Sequence, residues 1–328
     1  MTDVPFPYIV GVDRSGTTLL RAMLASHPDL AIPEEANFRL KLSVEPELYE
    51  QANGLDVDAF VSALYADRVF RSWGISEEEV RMALRAAAPR SLSDAMRALF
   101  LHAARKEGKT RYGDKTPQAV MVMPRLSSLF PEARFIHIIR DGRDVALSHI
   151  HNEGFIASAA EVAIKWKTMI ERGQSDGRIL GPERYREVRY EQLVERPDAV
   201  LHSLCAYIEL DFHASMLRYF ERPLEVLGAT RQGIGFHASL HKPPTKGLRN
   251  WRDQMKARDL EIFEAIAGDL LERLAYGRSA PRSSIRTRVR AGFVRLFVAS
   301  KEFVKRRIVD YRWWPSATLV YRRLRRHG

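Results

Sequence analysis

The sequence predicts an α/β fold of three layers: a central, mostly parallel sheet flanked by helices, with a basic helical C-terminal tail appended. Short apolar strands alternate with helical stretches through most of the 328 residues. Two of those strands run straight into glycine-bearing turns that open helices. Positive charge is concentrated at the carboxyl end.

Tyr8-Ile-Val-Gly-Val12 is an uncharged run bounded by turn residues and predicts a buried strand over 7–12. A glycine-bearing loop follows, then Thr17-Thr-Leu-Leu-Arg-Ala-Met-Leu-Ala25, of helical composition and stopped near His27-Pro28. Residues 37–107 read as mostly helical, interrupted at Gly54 and Pro89. Arg134-Phe-Ile-His-Ile-Ile139 is a second strand, and Arg140-Asp-Gly-Arg143 turns into the helical Asp144-Val-Ala-Leu-Ser148. Helix is predicted over 161–172, strand over 185–190 and helix over 197–209. A Gly-, Pro-, His- and Lys-rich loop covers 228–250, and a further helix 259–274. Strands alternating with helices put the strands in a parallel sheet covered on both faces. The expected organisation is a domain over 1–277, with helical insertion 37–107, and an extension over 278–328 behind a hinge at Ser279-Ala-Pro-Arg-Ser-Ser284.

Composition narrows the function. The lone cysteine, Cys205, excludes an internal disulfide framework and any multi-cysteine metal site, as expected of a reducing compartment. No signal peptide and no membrane-spanning segment are expected, which points to a cytoplasmic protein. The net charge of +11 is uneven: residues 278–328 hold fifteen Lys or Arg against Glu302 and Asp310, while the other 277 residues hold 37 basic and 39 acidic side chains. Within the tail, Phe293, Phe297, Val304 and Ile308 fall near one helical face among arginines and lysines, followed by Trp313, Trp314 and Tyr321. Two readings stay open for it: an interfacial helix on an anionic membrane, which would make the protein peripheral on the inner face, or a helix packed on the body with a solvated basic side. Nucleic acid is disfavoured, because no recognised nucleic-acid module accompanies the charge.

The chemistry centres on Gly11-x-x-x-x-Gly16-Thr17-Thr18. It matches a phosphate-binding loop except that Thr17 stands where an ATP loop carries lysine. Backbone N–H groups and the start of the next helix converge there on an anion. Arg14 replaces the missing positive charge, and Thr17 and Thr18 add hydroxyl donors. The segment Arg140 to Ser148, at the carboxyl end of a strand where ligands collect in parallel sheets, offers a second anion grip through Arg140 and Ser148. Taken alone, it also reads as a charged turn capped by Asp141 and Asp144.

Three segments together resemble the PAPS-dependent sulfotransferases (PAPS is 3'-phosphoadenosine 5'-phosphosulfate): Val10 to Leu20, Pro131 to Ser148 and Tyr190-Glu-Gln-Leu-Val194. Ala22-Met-Leu-Ala-Ser-His-Pro28, Glu34-Glu35 and Asp114-Lys-Thr-Pro117 resemble the branch holding protein-tyrosine sulfotransferases and bacterial relatives. The resemblance runs from about residue 7 to 255. It implies a P-loop-type fold, PAPS as sulfuryl donor with PAP (3'-phosphoadenosine 5'-phosphate) as product, and no metal. It also implies site roles. Arg14, Ser15, Gly16, Thr17 and Thr18 would hold the 5'-phosphosulfate, Arg140 and Ser148 the 3'-phosphate, and Tyr190 would lie near the adenosine. Glu35 would be the catalytic base, and Lys115, with Arg14, would stabilise the transferring group. Lys246 and Arg249 match a late loop closing over the 3'-phosphate, although Asn250 stands where the family often has a basic residue.

Sulfuryl transfer by such a site is in-line and takes a proton from an acceptor hydroxyl. Glu34 and Glu35 also read as acids capping the next helix, and His27, His137, His149 and His151 are rival bases; His137, inside a strand, reads as a hydrogen-bonded core residue. Two other functions remain: a P-loop nucleotide kinase or NTPase, which Thr17 opposes, and a non-catalytic PAP-binding scaffold at a membrane. The acceptor pocket is expected from 37–107 and 151–181, with a carbohydrate, a lipid headgroup, a metabolite or a peptide as acceptor.

Overall fold

A computed structural model describes residues 4–52, 54–150, 158–221, 238–244 and 250–279, together with 287, 289, 291–294 and 296. Lys246, Arg249, His151 and nearly all of the basic tail lie outside the described residues.

In chain order the strands are β1 Phe6–Gly11, β2 Leu30–Ala31, β3 Glu50–Gln51, β4 Gly54–Leu55, β5 Arg111–Tyr112, β6 Asp114–Lys115, β7 Ala133–Ile139 and β8 Tyr185–Arg189. The helices are α1 Thr17–Ala25, α2 Asn37–Val44, α3 Val57–Ala66, α4 Arg68–Ser72, α5 Glu77–Ala87, α6 Leu92–Lys106, α7 Met123–Leu129, α8 Gly142–Ile150, α9 Ala159–Leu180, α10 Tyr190–Glu195, α11 Pro197–Tyr207, α12 Trp251–Gln254 and α13 Ala257–Arg273. Two compact units interleave along the chain: Met1–Gly11, Gly16–Ile138 and Gly173–Lys246 form one; Val12–Ser15, Ile139–Arg172 and Gly247–Gly328 form the other.

The first unit is built on a sheet of order β6-β1-β7-β8. β1 is buried along its whole length, because Phe-Pro-Tyr-Ile-Val-Gly carries no charge and lies between two neighbours. It pairs in parallel with β6, Ile9 opposite Lys115, and with β7, Ile9 opposite Ile136. Parallel pairing sends the chain out of β1, β6 and β7 at one edge of the sheet, where ligands gather in such folds. α1 packs through Leu20, Met23 and Leu24 into a core with Ile9, Ile136, Ile138, Leu193 and Leu204, all essentially sealed from solvent.

The stretch predicted to be helical over 37–107 contains five helices and the β3–β4 hairpin, which opens at Gly54. The local chemistry sets its boundaries. Asp56 and Asp67 cap α3 and α4, a Ser76–Glu79 capping box starts α5, and Ser91 caps α6. α5 ends two residues before Pro89, with Ala88 in the left-handed region at φ 44°. Phe38, Phe60, Phe70 and Phe100 fill the interior, and Phe38 meets Phe70 edge-on with centroids 5.3 Å apart.

In the second unit α8 packs against α12 and α13. Gly142 allows this contact: a Cβ there would come within 2.6 Å of both Phe263 and Trp166. Helix predicted over 161–172 extends to Ala159–Leu180, and Tyr190 opens a helix instead of closing a strand.

Candidate active site

In the second unit the anion loop follows β1. Arg14 occupies the left-handed region at φ 69°. Its Nε donates to Ser148 Oγ at 3.1 Å, and Arg140 Nη1 donates to the Arg14 carbonyl at 3.3 Å. Arg140 is buried, with Nη2 3.7 Å from Asp144. Ser15 is fully buried, and its Oγ has no hydrogen-bond partner among the described residues. An orphaned hydroxyl is costly in a dry interior and fits a site made for an external acceptor, such as a phosphate oxygen.

The turn after β7 is not a solvated one. Asp141 accepts from the Arg143 backbone N–H at 2.9 Å, from Arg143 Nε at 3.0 Å and Nη2 at 2.8 Å, and from Trp251 Nε1 at 3.1 Å. Arg143 also binds Glu264 at 2.8 Å, and its guanidinium lies 3.7 Å from the Trp251 ring centroid. The Trp251 backbone N–H donates to Asp144 Oδ1 at 2.9 Å. Asn250, immediately before it, accepts from the Arg252 N–H at 3.1 Å and so acts as the N-cap of α12.

In the first unit Gly16 opens α1 at φ 97°, and no side chain caps that helix. Its first-turn N–H groups, with Thr17 and Thr18, are therefore presented at the helix start. A Cβ on Gly16 would come within 2.4 Å of the Tyr190 ring, so the aromatic edge rests directly on the glycine. Beside β1, Lys115 is 5% exposed at its side chain, and its Nζ donates to Glu35 Oε1 at 2.6 Å; the Glu35 side chain is 35% exposed. Burial pushes the Lys115 ammonium below its ordinary value, Glu35 opposes the shift and Arg21 adds to it. Arg21, itself buried, donates to the Ile32 carbonyl at 2.7 Å and so holds the chain leading to Glu35. Arg39 and Asp114 form a fully buried ion pair at 3.1 Å, with Arg39 4.0 Å from the Phe130 centroid and 4.4 Å from that of Phe100. That pair fixes β6 one residue before Lys115.

A family model described as the sulfotransferase family matches residues 5–214. The chain belongs to the sulfotransferase family. It is an enzyme that transfers a sulfuryl group from PAPS to an acceptor. Similar relatives include human protein-tyrosine sulfotransferase 1, 29% identical over 283 residues that cover 84% of this chain and 70% of that protein. The nodulation protein NoeE of Sinorhizobium fredii is 26% identical over 294 residues, covering 83% of this chain and 66% of that protein. Among solved structures, the sulfotransferase domain of the Synechococcus PCC 7002 olefin synthase aligns with a TM-score of 0.58 at 24% identity, covering 83% of this chain and 94% of that one. The sulfotransferase domain from the curacin biosynthetic pathway aligns at 0.51 and 20% identity, covering 84% and 98%. At those identities the structures establish the α/β sulfotransferase fold.

Within the second unit of this sulfotransferase, Arg14 contacts both Arg140 and Ser148, although the sequence reading assigns Arg14 to one end of the donor and the other two residues to the opposite end. Within the first, Glu35 meets Lys115, and Gly16 meets Tyr190. The strand before Glu35, β2, pairs in parallel with β5 in a separate two-stranded sheet. Glu34 does not cap α2, whose N-cap is Ala36; it accepts from Ser72 at 2.9 Å.

The histidines of this sulfotransferase sort by their partners. His137 is a core residue, fully buried with Nδ1 2.7 Å from the Tyr185 hydroxyl. His27 has both ring nitrogens engaged: Nδ1 accepts from the Asp29 N–H at 3.0 Å, and Nε2 contacts the Asp211 carbonyl at 2.9 Å. His149 is 2% exposed with Nε2 2.9 Å from Asp13, facing protein rather than solvent. Sequence reasoning passed over Asp13, Arg21 and Arg39. An arginine spaced among apolar residues gives no signal of burial, and an acid inside an anion loop reads as a surface residue until its partners, more than a hundred positions away, are known.

Proposed function

We propose that this sulfotransferase sulfates a hydroxyl acceptor, with Glu35 as general base and Lys115 as the cation that stabilises the transferring group. The contact of 2.6 Å between them carries the reading. Glu35 is exposed enough to meet an acceptor hydroxyl and take its proton. Lys115 brings its charge into a dry site, where electrostatic stabilisation of developing negative charge is strongest. Arg14, Ser15, Gly16, Thr17 and Thr18 bind the 5' end of the donor. Arg140 and Ser148 bind the 3'-phosphate, joined by Lys246 and Arg249, and Tyr190 lies against the adenosine. PAPS, when bound, supplies the sulfuryl group and a phosphate leaving group.

The acceptor is a hydroxyl of a peptide, carbohydrate, lipid headgroup or small metabolite. A panel of these classes, beginning with tyrosyl peptides because of the human relative's name, is incubated with radiolabelled PAPS. Transfer to one class that Glu35→Gln abolishes supports the reading. Stabilisation by PAP with no transfer to any class supports a non-catalytic scaffold, and stabilisation by ATP-Mg but not PAP opposes the donor assignment.

A second observation favours a peripheral membrane role on the inner face. Val289, Phe293 and Leu296 are 53%, 69% and 69% exposed at helical spacing, within the segment of net charge +13. Among the described residues no helix is long and apolar enough to cross a membrane. Co-sedimentation of the full chain with anionic vesicles tests this: Phe293→Ser with Leu296→Ser reduces binding, and unchanged binding refutes the contact.

A further inference from the structure

Loops that hold anions are built from backbone N–H groups and cations. This one contains a carboxylate. Asp13 lies between Val12 and Arg14 with its side chain only 17% exposed. An unbalanced negative charge there would repel the donor that the same loop is built to receive.

Asp13 is balanced from two elements. His149 Nε2, in the last turn of α8, lies 2.9 Å from Asp13 Oδ2. The Lys165 ammonium of α9 binds Asp13 Oδ1. Burial alone would raise the Asp13 carboxyl, but His149 and Lys165 outweigh it and hold the group well below the usual carboxylate range. The carboxylate is therefore charged at neutral pH.

The neighbouring residues repeat the pairing. Arg14 meets Ser148 at 3.1 Å as Asp13 meets His149 at 2.9 Å, so two consecutive loop residues bind two consecutive residues of α8. Between them the backbone does something costly: Arg14 sits at φ 69°, where its own Cβ crowds the following carbonyl. Such a conformation persists only where its surroundings over-determine it. The Arg140 bond to the Arg14 carbonyl supports it from one side, and the Asp13 contacts support it from the other.

We infer that Asp13 is a positioning residue of the donor site: its contacts with His149 and Lys165 keep Arg14 in the left-handed conformation and aim the guanidinium at Ser148. The inference rests on the reading above that Arg14 and Ser148 bind the donor.

The test is calorimetric titration of PAP into the full-length protein and its variants, with the melting temperature of each ligand-free variant as a folding check. Asp13→Asn keeps the shape and removes the charge. PAP binding weakens by about tenfold or more, and KM for PAPS rises more than kcat falls. A carboxylate that merely repels the donor predicts the opposite sign, so tighter PAP binding by Asp13→Asn, or no change, overturns the inference. Lys165→Met weakens PAP in the native background and adds little on top of Asp13→Asn, since the charge it balances is gone. Full additivity of the two also overturns it. Where Asp13→Asn folds poorly, His149→Phe gives the same readout: weaker PAP binding supports the clamp, and unchanged binding sinks it. Arg14→Ala separates the two levels of argument. Unchanged PAP binding in Arg14→Ala means that the donor-site reading has failed. Loss there with none in Asp13→Asn removes only the role of Asp13.

Discussion

Lys115 Nζ donates to Glu35 Oε1 across 2.6 Å, joining residues 80 positions apart in the chain. The ammonium comes from the end of β6, the edge strand beside β1, and the carboxylate from the turn between β2 and α2. Such a contact holds a buried cation and a half-exposed acid in register before any ligand arrives. It also names the residues on which turnover should depend.

Replacing Lys115 with Met removes the buried cation while keeping most of its volume. Turnover falls by about 100-fold or more, on the scale of losing one preorganised transition-state contact. PAP binding changes less than turnover. In the native protein, burial places the Lys115 ammonium below the ordinary lysine value of 10.5, with Glu35 opposing the shift. The alkaline limb of the kcat–pH profile accordingly lies below that of a solvated lysine, and Lys115→Met lacks it. Stopped-time assays with labelled PAPS across pH read both effects.

Gly16 tolerates no side chain. At φ 97° a Cβ is strained by about 1–2 kcal/mol, and it would also collide with the Tyr190 ring at 2.4 Å. Gly16→Ala therefore weakens PAP binding at least tenfold by calorimetry. Adding Tyr190→Ala relieves the collision but not the backbone strain, so binding stays below that of Tyr190→Ala alone.

The Arg39–Asp114 pair is sealed from water, and the guanidinium is boxed by Phe6, Tyr8, Phe100 and Phe130. Asp114→Ala leaves Arg39 buried and unpaired, which costs about 3–5 kcal/mol. Replacing both residues with apolar ones of similar size costs far less. Urea denaturation monitored by tryptophan fluorescence gives the comparison. A loss under about 1 kcal/mol for Asp114→Ala, the scale of an exposed pair, would refute the sealed-pair description.

How much of this was legible in the sequence depends on whether a feature is local. The β1–loop–α1 unit and the turn after β7 are written in consecutive residues, and they appear where periodicity and turn chemistry place them. Contacts that depend on chain crossing were not legible. Lys115 taken alone reads as a surface lysine, yet β1 draws Asp114 and Lys115 into the sheet and buries them. Trp251 follows a loop in sequence, and only the fold brings its ring against Arg143 and its indole N–H onto Asp141.

His137 makes the fold acid-sensitive in a definite direction. Burial, and then Arg189, lowers its pKa from 6.5 to about 3. The folded state thus holds the imidazole neutral while the unfolded chain protonates it, and stability present above pH 6.5 is lost as pH falls toward 3. His137→Gln keeps a hydrogen bond to Tyr185 and removes the titration. Its urea midpoint declines less steeply over that window than that of the native protein, and an equal slope in both would contradict the assignment.

Glu35 is the residue on which the proposed chemistry depends most directly. The decisive measurement compares native protein with Glu35→Gln, an isosteric change that keeps a hydrogen-bond acceptor for Lys115, in two readouts: PAP affinity by calorimetry, and sulfuryl transfer from labelled PAPS to the acceptor found in the panel. If Glu35 is the general base, PAP affinity stays within about twofold and turnover falls by roughly 100-fold or more. Turnover close to native in Glu35→Gln, with PAP bound as before, would contradict that role and with it the function proposed for the Lys115–Glu35 pair.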